Sequence, residues 1–65
     1  MNTSVIEGLH IAISLAQTMM RDTQTVQRFG QDVSPSMFTF NTGVIEGLRS
    51  LIVKLETSVE LQRHQ

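Results

Sequence analysis

The sequence predicts an all-α fold: a helical hairpin whose arms are joined by a structured, aromatic-containing loop, and which dimerises into a four-helix bundle. Three observations point there. One phrase occurs twice, Asn2-Thr3-Ser4-Val5-Ile6-Glu7-Gly8-Leu9 returning as Asn41-Thr42-Gly43-Val44-Ile45-Glu46-Gly47-Leu48. Downstream of each copy, apolar residues recur at steps of three and four, the period of one helix face. Between the two segments lie the chain's only proline and two of its three phenylalanines.

Each copy of the repeat reads as the start of a helix. The Asn-Thr pair offers side-chain oxygens to unpaired backbone N–H groups, and Glu7 or Glu46 places negative charge in the first turn. Ser4 and Glu7 have the spacing of a capping box. Beyond the phrase, Ile13 and Ile52, then Thr18 and Thr57, still fall in matching places. Gly8 and Gly47 each cost a helix about 0.5 to 1 kcal/mol relative to Ala. Close packing of the two repeats against each other is the expected reason, with an inherited repeat letter as the alternative.

The spacing predicts helix one over about 4–29. One stripe runs Val5, Leu9, Ala12, Ala16, Met19, Thr23, Val26, and a second runs Ile6, Ile13, Met20 beside it. Ile11 and Leu15 carry apolar surface further round, so the first half is nearly apolar on all sides, as expected of a helix with several neighbours. His10, beside the stripe, reads as a partly buried core histidine. After Met20 the helix turns polar, and Gly30 is placed to end it, with Arg28 suiting the negative end of the dipole.

Residues 30–42 read as the loop, longer than the roughly 2 to 8 residues that usually join antiparallel helices. Ser34 before Pro35 suits the start of a short helical turn. Met37, Phe38 and Phe40, with Phe29, are expected either to plug the end of the bundle or to form a recognition patch. Helix two follows at about 43–63, with a single stripe of Ile45, Leu48, Ile52, Leu55 and Val59 supported by Val44 and Leu51. Val53 and Leu61 lie off this stripe. Glu60 and His64 have the spacing of a weak i, i+4 pair.

The chain is 65 residues long and lacks cysteine, so it reads as one domain stabilised neither by disulfides nor by thiolate metal sites. Oligomerisation, a dimer foremost, or a partner protein is the expected stabiliser. The expected oligomer core is Val5, Leu9, Ile13, Ala16, Ile45, Leu48, Ile52, Leu55 and Val59; the expected partner-binding residues are Ile11, Leu15, Phe29, Met37, Phe38 and Phe40. Met19, Met20 and Met37 read as core filler first and adaptable binding surface second. A net charge of −1, from singly scattered charges, gives no footprint for nucleic acid or anionic membrane. No apolar run is long enough to span a bilayer, and no secretion signal is apparent. A cytoplasmic protein and a complete small reading frame are therefore expected.

No nucleophile–base pair, phosphate-binding glycine loop or paired-carboxylate motif is present, and His64 with Glu60 falls short of a zinc ligand set. The chain is expected to be no enzyme and to hold no cofactor or metal. The functional expectation is a small protein-interaction module, a regulator, inhibitor or chaperone-like adaptor, that buries a helical face or the loop on a partner. A purely structural homo-oligomeric subunit and a nucleic-acid-binding hairpin dimer are the alternatives. Ile52→Asp puts an unpaired charge on the cleanest stripe and is expected to abolish the cooperative circular-dichroism melt; an unchanged melt would refute the stripe.

Overall fold

The structure is a computed structural model that describes residues 3–29 and 34–64. Two helices, α1 (Thr3–Phe29) and α2 (Pro35–Arg63), lie against each other as an antiparallel hairpin. The molecule is a rod of 48 × 14 × 11 Å with a radius of gyration of 14.9 Å. A compact chain of this length would measure about 11 Å.

α2 begins eight residues before the position expected from the repeat, and local chemistry explains why. Ser34 is extended at φ −66° and ψ 159°, and its hydroxyl accepts from the Met37 N–H at 3.2 Å. Pro35 follows in the first turn, where its missing N–H costs nothing and its fixed φ suits a helix. The Phe38 N–H then donates to the Ser34 carbonyl at 2.8 Å. The expected loop over 30–42 is thus mostly helix, and Met37, Phe38 and Phe40 stand on the first turns of α2. The expected Gly30 stop, with Asp32 and Val33, lies outside the described residues.

The repeat does not mark helix starts. Asn41 to Leu48 sits inside α2, and Ser4 lies within α1, so no capping box opens there. Neither helix has an acidic residue in its first turn, because Glu7 falls one turn later and Glu46 deep in the helix. Thr42, expected as a cap, bonds the backbone inside its helix instead, as several other Thr residues do. Thr39 donates to the Pro35 carbonyl at 3.0 Å and Thr42 to the Phe38 carbonyl at 2.9 Å, with Thr23, Thr25 and Thr57 doing likewise.

The seam between the helices has the three-four spacing of a coiled-coil line. From α1 it takes Ile6, Leu9, Ile13, Ala16, Met20, Thr23 and Gln27; from α2, Asn41, Ile45, Leu48, Ile52, Leu55, Val59 and Gln62. It follows the second of the two α1 stripes, so Val5, Met19 and Val26 of the first are exposed. Gln27 Nε2 donates to Thr42 Oγ1 at 3.1 Å and marks the register. Counting back from that link at about 1.5 Å per residue brings Ala16 level with Ile52. Alanine lets the helices close on the branched Ile52 there, and the two are 4% and 8% exposed. Among the described residues, only Val59, at 4%, is an equally buried apolar side chain.

At the far end of α2, Glu60 pairs with Arg63 at 3.0 Å and lies 3.9 Å from His64. All three are exposed, so solvent screens these contacts. The Ser34 cap matters more. Ser34→Ala should lower stability by about 1 kcal/mol, as measured by urea unfolding; no change would mean that Pro35 alone starts the helix.

Candidate interaction surface

A helix turns about 100° per residue, so each side chain's place around the hairpin follows from the seam. On α1, Leu15, Met19 and Val26 lie to one side of the seam, with Ile11 at their outer edge. On α2, Met37, Phe40, Val44 and Leu51 lie to one side of theirs. Because α2 runs opposite to α1, these are the same side of the hairpin. Apolar residues from both helices therefore form one long surface. Val44 is half-buried there; the other seven are exposed, Leu15 by 61% and Phe40 by 63%.

Charge is concentrated elsewhere. Arg21, Arg28, Arg49, Glu56, Glu60 and Arg63 fall on the opposite side, and Glu7 and Glu46 on the outer edges. Two shallow grooves on that opposite side fit this placement. One is lined by His10, Ile13, Glu56, Val59, Glu60 and Arg63. The other, about 510 Å³, is bounded by Arg21, Gln24 and Arg28 with Phe29, Phe38 and Ile45. At its rim the Arg28 guanidinium lies 6.0 Å from the centre of the Phe29 ring, the reach of a weak cation–π contact. Among the described residues only Asp22, near the outer edge, and Lys54, as far round α2 as Leu15 is round α1, bring charge to the apolar side.

The structure divides the residues expected to bind a partner. Leu15, Met37 and Phe40 share the apolar side with Ile11 at its edge, whereas Phe29 and Phe38 border the polar groove. The aromatic plug is not formed: all three rings are exposed, because the segment that carries two of them is helix and holds them outward. Of the expected oligomer core, Leu9, Ile13, Ala16, Ile45, Leu48, Ile52, Leu55 and Val59 face the seam within one chain, and Val5 lies at its flank, 40% exposed. Met19, Val26, Val44 and Leu51, which periodicity alone places on or beside the core stripes, complete the apolar side.

Three further expectations change. His10 is exposed, not partly buried, because the seam leaves it on the polar side. Met19 and Met37 are exposed, and only Met20 reaches the seam. A Cβ built on Gly8 or Gly47 meets nothing within 4 Å, so neither glycine serves a close approach within the hairpin. The reason is topological: in an antiparallel pair the two repeats sit at opposite ends of the rod. Both glycines fall on the apolar side.

The seam itself carries two amide side chains near the chain reversal. Asn41 is buried, and Gln27 Oε1 is buried without a hydrogen-bond partner. Among the described residues no three His, Asp or Glu side chains are grouped to hold a metal ion, and no helix is long and apolar enough to cross a membrane. Comparison with family models, curated proteins and solved structures finds no match.

Gln27→Leu removes the unpaired carbonyl, which costs about 1 to 3 kcal/mol, together with one hydrogen bond worth about 1 kcal/mol. Chemical denaturation should show unchanged or slightly raised stability. A large loss would mean that the Gln27–Thr42 link holds the register.

Proposed function

We propose that this protein is a non-enzymatic protein-interaction module, a small regulator, inhibitor or adaptor, which works by covering its apolar side with another polypeptide. The observation that carries the reading is the contiguity of Leu15, Met19, Val26, Met37, Phe40 and Leu51 on one side of the rod, where Asp22 and Lys54 are the only charges among the described residues. An exposed apolar surface of this kind costs free energy in water until something covers it. Two long helices with apolar residues along the same side suit a helical partner surface, bound by side chains at i, i+3, i+4 and i+7. Two hairpins placed face to face through this side would make a four-helix bundle. The structural-subunit reading rests on the same surface, used wholly for self-association. A cytoplasmic setting belongs to this proposal, supported by a chain without cysteine.

The test is affinity capture from native extract with tagged protein, including a differently tagged second copy as one of the possible partners. Wild type and Arg49→Glu, changed on the polar side, should retain the partner. Leu15→Glu combined with Met19→Glu should lose it while circular dichroism still reports helix. Capture that ignores the apolar side but fails with Arg49→Glu would contradict the reading.

A further inference from the structure

Charges that the sequence scatters singly are sorted by the fold. On the polar side, Arg21 and Arg28 stand two turns apart on α1, and Arg49 follows Ile45 by one turn on α2. The Gln27–Thr42 link sets Arg49 level with Met20, so Arg21 and Arg49 flank one stretch of the larger groove, with Arg28 about 10 Å further along. Arg63, the fourth arginine, has Glu60 at 3.0 Å. Among the described residues no carboxylate pairs with the other three. Asp22 lies toward the apolar side and Glu46 on the outer edge of α2. Like charges gathered without a counter-charge repel one another and draw an anion.

The reversal end of the same groove is built differently. Phe29 and Phe38 line it, 71% and 52% exposed, and the Arg28 guanidinium lies 6.0 Å from the centre of the Phe29 ring. Rings and a guanidinium together make a platform on which a flat ring can stack. Between the two ends stands Gln24, whose amide makes no hydrogen bond among the described residues and is free to donate or accept.

These features define a ligand. Three uncompensated guanidiniums match a multiply charged group, which a phosphoryl chain supplies and a single carboxylate does not. Arg21 and Phe29 are separated by about 12 Å of helix, so charge and ring belong at opposite ends of an elongated molecule. The groove volume of about 510 Å³ suits one small molecule, since such sites usually measure roughly 300 to 1,000 Å³.

We propose that this groove binds a nucleoside polyphosphate, its phosphates held by Arg21 and Arg49, with Arg28 between them and a base laid against Phe29 and Phe38. The site uses the polar side, so it stands or falls apart from the interaction reading, which uses the apolar one.

ADP, inorganic pyrophosphate and adenosine, each titrated to low millimolar into the isotope-labelled full chain and followed by NMR amide shifts, test this. ADP should saturate, shift the amides of Arg21, Gln24, Arg28 and Phe38, and bind at least about 10-fold more tightly than either fragment. Arg21→Gln with Arg28→Gln should raise its dissociation constant by about 10-fold or more, while glutamine keeps the helix. Phe38→Leu should raise it by about 3-fold or more. Lys54→Gln with Arg63→Gln removes the same amount of charge outside the groove and should change it by less than about 2-fold.

Pyrophosphate or adenosine binding as tightly as ADP, no saturation with ADP, or ADP shifts centred outside the groove overturns the proposal. An ADP affinity that survives the groove pair, or falls equally with Lys54→Gln and Arg63→Gln, does the same. So does a single-stranded oligonucleotide that binds where ADP does not, which would make the arginines contacts for a polymer backbone.

Discussion

Two helices in contact along one line can each shelter only the strip that faces the other, and every other feature of this molecule depends on that constraint. The strip here is a line of small and branched residues, closed most tightly where Ala16 meets the level of Ile52 and again at Val59. It leaves Leu15, Met19, Val26, Phe40 and Leu51 outside, although they are as apolar as the residues within. A two-helix layer has no second layer to cover them, whereas stable small domains close their apolar surfaces against at least one further element. The rod shape and the surplus of exposed surface are two measures of one incomplete core.

Helix α1 and the seam stripe of α2 were legible in the sequence, because periodicity is a direct record of which face is buried. The phase of α1 was harder. Val5-Leu9-Ala12-Ala16-Met19 and Ile6-Leu9-Ile13-Ala16-Met20 share Leu9 and Ala16, and nothing within α1 decides between them. The repeat decides it, since moving the clean stripe Ile45-Leu48-Ile52-Leu55-Val59 back by the repeat offset lands on Ile6-Leu9-Ile13-Ala16-Met20. The start of α2 was misplaced for a different reason. By sequence Ser34-Pro35 suits a short turn, yet it opens the whole helix, because Thr39 and Thr42 return their hydroxyls to the backbone and the segment continues through Asn41. The side shared by the two helices needed the antiparallel register, which no single-helix pattern contains.

The same geometry separates two kinds of exposed apolar residue. Phe29 and Phe38 border a groove with arginines and amides, where a ring meets polar neighbours. The apolar side is continuous, spans both helices and, among the described residues, carries only the charges of Asp22 and Lys54. The proposed role in binding therefore rests on the continuous side, with the aromatic residues contributing only where Phe40 joins it.

The most direct test of this account is the concentration dependence of unfolding, followed by circular dichroism from low to high micromolar protein. Folding coupled to association predicts a midpoint that rises steadily with concentration, with helix lost at the dilute end. A cooperative midpoint that stays fixed across that range, in a protein whose Leu15 and Leu51 methyl groups remain open to solvent, would contradict it.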